Sequence, residues 1–392
     1  MTSVHERTRG WRLLVACARH AAGLADAREV AVAARLIGDW AGAERQACAH
    51  GLLPWLARAL SEAGMADGAG APVVAAAGAS SARTLGQMRR LVELMALLER
   101  AGVPALPYKG PTLSLQLYGD VALRQSVDLD LVVPFASYSV APAALVAHGL
   151  PPRGGHSHAQ ERTLFAWLGH APFGRGSDFV ELHWRFADRR FPFPLTAERA
   201  LACARVLRVG GHPMPLMHDV DLLAVLAMHG TRHLYERLEW LAGVTRLLVA
   251  WRGDAQRLVA HAESLRARRM LLVSVHMAHR VLGFPLDDHW QPVLASDPRA
   301  SALGATMTAD LEARALRDTP FLDGAALQRR YAEMVDTRID RAKLYLHAAL
   351  DPTARDHEAV ALPDALVPLH RVIRPARLAG TYFARALTLR RA

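Results

Sequence analysis

Asp128-Leu129-Asp130-Leu131-Val132-Val133 is the stretch on which the reading of this chain turns. Apolar residues and carboxylates alternate over the length of a strand, and successive strand side chains take opposite faces. Asp128 and Asp130 therefore project together, while Leu129 and Leu131 point into a core. Two neighbouring carboxylates repel each other, so leaving both ionised calls for a cation. Mg²⁺ suits such a face because it takes oxygen ligands and usually shares them between one or two carboxylates and substrate phosphates. The same Asp-x-Asp pattern also marks an exposed edge strand, so its surroundings must decide.

Two further stretches add to it. In Phe179-Val180-Glu181-Leu182-His183-Trp184-Arg185-Phe186 the alternation places Glu181, His183 and Arg185 on one face, and Val180, Leu182, Trp184 and Phe186 on the other. If this strand pairs beside the first, Glu181 supplies a third carboxylate. The alternative is a half-exposed strand with a surface Glu–Arg pair. Upstream, Tyr108-Lys109-Gly110-Pro111-Thr112 follows an apolar run and precedes Leu113–Tyr118. A glycine between strand and helix lets backbone approach a phosphate, and the helix N-terminus offers unpaired N–H groups. Lys109 adds a point charge, and Arg124 carries a planar fork suited to phosphate.

Working outward, residues 1–100 read as helical, with Leu13, Leu14, Ala16, Cys17 and Ala21 at helical spacing, then Trp40, Ala43, Cys48 and Leu52. The Ala/Gly-rich segment Gly64–Gly78, with Pro72, reads as a connection, and Leu85–Leu98 returns to helix. Residues 101–194 show short apolar runs bounded by Gly and Pro. The expected strands are Val103–Tyr108, Asp128–Val133 and Phe179–Phe186, with helices at about Thr112–Tyr118 and Ser137–His148. In residues 195–392 the helical pattern resumes through Asp219–Ala250, Ala255–Leu282 and Ala326–Leu350. The expected fold is α+β, a small mixed-sheet core embedded between N-terminal and C-terminal helical regions.

Composition sets the limits. With 392 residues, two or three domains are expected; 52% hydrophobic and 21% charged residues exclude a disordered or collagen-like chain. No window approaches the roughly 18 uninterrupted apolar residues of a membrane span. Arg7, Arg9 and Arg12 before Leu13–Ala18 imitate a signal peptide, but Arg19 and His20 interrupt the apolar stretch, so it reads as helix and the protein as cytoplasmic. Cys17, Cys48 and Cys203 lie far apart, which argues against a disulfide framework or a cysteine-built zinc site. Of the net charge of +10, six arginines lie between Arg371 and Arg391 with no acid among them. Such a tail can hold phosphates, yet Tyr382 and Phe383 alone make no stacking platform, and a solvated helix is the simpler reading. Neither a G-x-S-x-G elbow nor a G-x-x-x-x-G-K-[ST] loop is present, which argues against a serine hydrolase of that type and a P-loop NTPase.

Taken in order, Lys109-Gly110, Leu117-Tyr118, Arg124, Asp128-Leu129-Asp130-Leu131-Val132 and Glu181-Leu182-His183-Trp184 closely resemble the uncharacterised nucleotidyltransferase family, within the DNA polymerase β-like nucleotidyltransferase superfamily. His229, His233, Leu238 and Trp240 resemble its "H…H…L-x-W" helix; Leu362-Pro363, Leu369 and Arg374-Pro375 resemble its C-terminal pattern. The resemblance implies transfer of a nucleoside monophosphate from a nucleoside triphosphate such as ATP to a small-molecule or peptide acceptor, releasing pyrophosphate. It implies two Mg²⁺ ions held by Asp128, Asp130 and Glu181. It also implies nucleotide contacts from Lys109, Gly110, Thr112 and Arg124, and an acceptor pocket lined by His183, His229 and His233, with residues 195–392 on the acceptor side. Membrane and nucleic-acid partners are not expected.

Two positions depart from the family. Pro111 stands where the loop usually has Ser or Gly and has no N–H to offer a phosphate. Gly243 stands where an Asp commonly follows the Trp. Other readings stay open at the sequence level. They are a catalytically silent nucleotide-binding or regulatory protein of the same fold, an RNA-directed transferase using the arginine tail, and, for His229 and His233, either a zinc pair with Glu236 nearby or simply buried, hydrogen-bonded histidines. His156 and His158, in the loop Arg153–Ala159, suggest a lid or a simple connection.

Overall fold

The structure is a computed structural model that describes residues 4–154, 157–175, 178–317, 322 and 324–389. At its centre a four-stranded mixed sheet is built from β1 (Leu106–Pro107), β2 (Leu129–Val132), β3 (His170–Arg175) and β4 (Asp178–His183), in the order β1-β2-β4-β3. β1 runs antiparallel to β2, β4 parallel to β2, and β3 antiparallel to β4. The β2–β4 register pairs Asp130 with Glu181 and Val132 with His183, and the β3–β4 register pairs His170 with His183.

Helices precede, interrupt and follow this sheet. The N-terminal set is α1 (Val4–Ala22), α2 (Ala27–Ala34), α3 (Trp40–Ala49), α4 (Leu53–Glu62) and α5 (Ala71–Arg100). Around the strands lie α6 (Gly110–Tyr118), α7 (Val140–Ala147) and α8 (His158–Leu168). After them come α9 (Ala197–Ala202), α10 (Asp219–Arg232), α11 (Leu238–Ala250), α12 (Ala255–Ser264), α13 (Arg268–Leu282), α14 (Trp290–Ala295) and α15 (Pro298–Arg317). The chain continues through α16 (Gly324–Met334), α17 (Arg338–Leu350), α18 (Ala354–Ala359) and α19 (His370–Leu389). The α+β class expected from the sequence is the class observed.

One side of the sheet is the apolar half of the strand alternation. Leu129, Leu131, Val180, Leu182, Ala171 and Phe173 pack with Leu91, Leu94 and Leu98 of α5, Leu145 of α7 and Phe165 of α8. Burying an apolar side chain of this size stabilises the fold by about 1.5–3 kcal/mol each, so this layer fixes which face the acids must take. A second, larger core joins the helical regions on both sides of the sheet in sequence. In it α1 packs against α11, α13 and α15, and Arg19 of α1 donates from Nη1 to the carbonyl of Leu282 at 2.6 Å. Helices separated by most of the chain thus brace one another behind the sheet.

Several boundaries differ from expectation. The connection expected over Gly64–Gly78 ends at Gly70, because Ala71 already opens α5. Pro72 falls in its first turn, where a missing N–H costs nothing, and the alanines that follow are the best helix formers. The strand expected over Val103–Tyr108 shrinks to Leu106–Pro107, since Pro104 and Pro107 remove ladder donors. β3 and a two-stranded hairpin of β5 (Arg205–Val209) and β6 (His212–Leu216) were not expected. Pro172, Pro213 and Pro215 mask those strands, although Gly210 and Gly211, both at positive φ, carry the two-residue hairpin signal. The long Asp219–Ala250 pattern divides into α10 and α11, with Leu234 and Tyr235 at φ 53° and 45° in the break.

Candidate active site

Because β2 and β4 are parallel and in register, Asp130 and Glu181 project side by side from the face opposite the apolar layer. Asp130 is 3% exposed, yet its carboxylate is well satisfied. Lys109 Nζ and His183 Nε2 each lie 3.0 Å from the same oxygen, Oδ1. His183 Nε2 also lies 3.2 Å from Glu181 Oε2, and His183 Nδ1 is 3.3 Å from the Tyr108 hydroxyl. His170, opposite His183 on β3, brings its ring to 4.8 Å between centroids. The third carboxylate foreseen from the sequence thus faces the Asp-x-Asp strand.

These neighbours set the electrostatics. For Asp128, burial and then the charge of Asp130 push the carboxyl up to about 6. For Asp130, burial pulls upward, but Lys109 and the hydrogen bond from His183 outweigh it and hold the carboxyl well below the ordinary range. Burial likewise works against ionised Glu181, yet His183 keeps that group below its usual value. His183 is raised although burial lowers it, since it donates to both acids. Burial, aided by the charge on His183, drives His170 down to about 4 and leaves it neutral at pH 7.

The loop before α6 is shaped for close approach. Gly110 has φ +59°, and a Cβ there would stand 3.3 Å from both the carbonyl oxygen of Asp128 and Ser126 Oγ. A glycine is therefore what lets Lys109 reach across to Asp130. Pro111 sits in the first turn of α6, where a helix tolerates the missing N–H, so it is compatible with the loop's shape. Thr112 is buried, and its hydroxyl donates to the Lys109 carbonyl at 2.8 Å.

The other residues singled out in the sequence lie on α10 and α11 or against them. His229, His233 and Trp240 form one aromatic group, with ring centroids 4.6 Å apart for the histidine pair and 4.9 and 5.4 Å from each to the tryptophan. Burial and then Lys109 hold His229 far below its usual value; burial and then Arg232 take His233 down to about 3. Two neutral rings beside Trp240 make a wall, and among the described residues neither belongs to a three-donor metal group. Space between this wall and α6 is only about 10 Å³, lined by Lys109, Leu117, Arg124, His229, Trp240 and Gly243 among others. Gly243 leaves this space as open as it is, since an added Cβ would press on Leu117 at 3.3 Å.

Arg124 is brought near the same wall but is already engaged. Its Nη2 lies 2.6 Å from Glu239 Oε1, with the two side chains only 11% and 5% exposed. The structure also shows residues the sequence reading missed. His170 joins the acidic face, and its signal, a histidine in a Pro-interrupted run, was too weak to place it on a strand. Asp188 is buried and held by Arg190, with Nε and Nη2 each at 3.0 Å, and by Arg232 Nη1 at 3.1 Å; Arg232 in turn reaches His233 at 2.9 Å. That chain ties α10 to the loop following β4.

A separate open cleft of about 1220 Å³ lies at the amino ends of β2 and β4, lined by Arg83, Arg89, Arg90 and Arg153 among others, and its lining includes none of Asp128, Asp130, Glu181, Lys109, His183, His229 and His233. In the C-terminal tail, Arg374 and Arg377 both clamp Asp356, which removes them from a free phosphate-binding face. Arg385 (side chain), Arg390, Arg391, His156 and the side chain of His158 lie outside the described residues. Cys17 is buried and Cys48 and Cys203 are exposed, all three unpaired. No described helix is long and apolar enough to cross a membrane.

The family pattern this chain carries, over a fold with aligned acids on one face of a mixed sheet, makes it a nucleotidyltransferase. It belongs to the uncharacterised nucleotidyltransferase family, whose pattern matches residues 38–283, as the resemblance in the sequence led one to expect. Among solved structures it is similar to the antibiotic-resistance factor ANT(2'')-Ia, at 13% identity and a TM-score of 0.34, over 50% of this chain and 99% of that one. No curated protein matches it.

Proposed function

We propose that this protein moves a nucleoside monophosphate from a nucleoside triphosphate such as ATP to a small-molecule or peptide acceptor in the cytoplasm. An acceptor hydroxyl forms the new bond to the α-phosphorus, the bond to the bridging oxygen breaks, and pyrophosphate leaves. The acceptor's proton passes to a carboxylate of the site. The observation that carries this reading is the pairing of Asp130 with Glu181 across parallel strands, with Lys109 at 3.0 Å from Asp130.

The donor set fits divalent cations. Asp130 and Glu181 stand side by side on paired strands. Asp128, just ahead of β2, is pushed up to about 6 by burial first and then by the charge of Asp130, a carboxyl whose ionised form a cation would favour. Asp128, Asp130 and Glu181 would hold Mg²⁺. Bound there, Mg²⁺ would supply counter-charge to the triphosphate and ease ionisation of an attacking hydroxyl. Lys109, already aimed into the site, pairs with triphosphate oxygens, and Gly110 and Thr112 at the start of α6 give the phosphates backbone to approach. Arg124, held by Glu239, fixes the wall beside the nucleotide site. We assign residues 195–392, through His229 and His233, together with His183, to the acceptor side.

Neutral histidines and Trp240 suit a ring or amide surface better than a polyanion, and two tail arginines are committed to Asp356. Both support a small or peptide acceptor over nucleic acid. Incubating the protein with each labelled triphosphate, Mg²⁺ and cell-extract acceptors, and following pyrophosphate, tests the reading. Release is expected with at least one triphosphate and lost in Asp130→Ala; release unaffected by Asp130→Ala overturns it.

A further inference from the structure

Among the described residues, the metal-type donors that gather are His170, Glu181 and His183, with one ligand atom from each within 4.8 Å of the others. This set is not the trio of carboxylates. Glu181 belongs to both, and two imidazoles replace the two aspartates. Nitrogen donors change the metal a site prefers. Mg²⁺ asks for an octahedron of oxygens, whereas imidazole with one carboxylate suits borderline ions.

We propose that His170, Glu181 and His183 form a mixed nitrogen–oxygen site that binds a borderline divalent cation of the Zn²⁺ or Co²⁺ kind more tightly than Mg²⁺. Its position beside the transferred phosphate rests on the function proposed above; the binding itself does not. Geometry supports it in four ways. Two ligands of one tetrahedral Zn²⁺, each about 2.0–2.1 Å from the ion, lie roughly 3.4 Å apart, and His183 Nε2 is 3.2 Å from Glu181 Oε2. His183 Nε2 points between Asp130 and Glu181, where a bridging cation belongs, so that binding exchanges the Nε2 proton for the ion. Its other nitrogen faces the buried Tyr108 hydroxyl at 3.3 Å, the kind of outer partner that fixes the ring of a metal-ligating histidine. His170 needs only a side-chain adjustment, since its backbone is already in register with His183.

The test is titration of the full chain with Co²⁺ alone, followed by the visible absorption of nitrogen-ligated Co²⁺, with Mg²⁺ or Zn²⁺ as competitor. A saturable band is expected, displaced by Zn²⁺ far more readily than by Mg²⁺. His170→Ala should weaken Co²⁺ by roughly tenfold or more, because even outer-partner changes cost about 10–100-fold in metal affinity. Tyr108→Phe, which keeps the buried ring, should weaken it to a lesser degree and serves if His170→Ala fails to fold. A band unchanged in both variants, displacement by Mg²⁺ as readily as by Zn²⁺, or no band at all overturns the proposal. Pyrophosphate release with Mg²⁺ but no Co²⁺ band sinks this site alone. A band without release from any triphosphate sinks the transferase reading and leaves the site standing.

Discussion

Asp128 and Asp130 stand two residues apart beside the same lysine, and their surroundings drive their carboxyl groups in opposite directions. Asp130 has two donors on one oxygen; Asp128, just ahead of β2, meets burial and its neighbour's charge. The first is a structural anchor and the second a store of unrelieved repulsion.

Opposite stabilities follow for the two isosteric variants. Asp128→Asn should stabilise the metal-free protein at pH 8 by about 3 kcal/mol, since it removes a buried carboxyl pushed up to about 6. Asp130→Asn should destabilise it by about 3 kcal/mol or more, since Lys109 and His183 lose their partner in a buried setting. Urea denaturation of both measures this, and a loss of stability in Asp128→Asn contradicts it.

The sign of the pH dependence can be worked out for each group. A carboxyl raised in the folded state, as Asp128 is, binds protons more tightly when folded, so its cost is full above about pH 6 and gone near pH 4. The gain from Asp128→Asn should therefore shrink as pH falls from 7 to 4. The buried neutral histidines act the other way. His50, lowered to about 4 by burial, and His233, lowered to about 3, bind protons more readily when unfolded. The parent protein should lose stability as pH falls below 6.5, seen as a lower urea midpoint at pH 5 than at pH 7.5.

Breaking the buried Arg124–Glu239 pair should do more harm than deleting it. Glu239→Leu leaves the guanidinium uncompensated, at a cost of about 3–5 kcal/mol, while adding Arg124→Met should recover most of that loss. A double-mutant cycle by thermal melting checks it. No recovery in the double variant means that the two side chains do not act as a pair.

Gly110→Ala should both destabilise the protein and raise the KM for the triphosphate. An alanine at φ +59° costs about 1–2 kcal/mol, and its Cβ crowds the Asp128 carbonyl and Ser126 Oγ at 3.3 Å, pulling Lys109 off its line to Asp130. Steady-state kinetics and melting of the variant report the two effects separately; an unchanged KM argues against a phosphate role for this loop.

Much of the site was legible in the sequence because alternation is local. Asp130, Glu181 and His183 share a face for the same reason that Leu129, Leu131, Val180 and Leu182 share a core, and a pattern of period two states both. The glycine after Lys109 carried its own signal, as did the helices of both flanks. What proline obscured was lost: β3, β6 and the true length of β1 all contain prolines that a strand interior rarely admits, and β3 took His170 with it. Arg124 could be read from the sequence as a phosphate fork, but its partner Glu239 lies more than a hundred residues away.

The sequence by itself determined which residues are polar or apolar along each element, and so the class of fold and the acidic face. Tertiary structure alone decided that β4 runs parallel to β2 in the register that sets Glu181 beside Asp130, that His170 joins them from the far strand, and that Arg124 is held by Glu239. The reason is physical. Side-chain alternation is fixed by the chirality and pleat of a single strand, whereas register and cross-chain pairing are chosen by the apolar layer packed beneath the whole sheet.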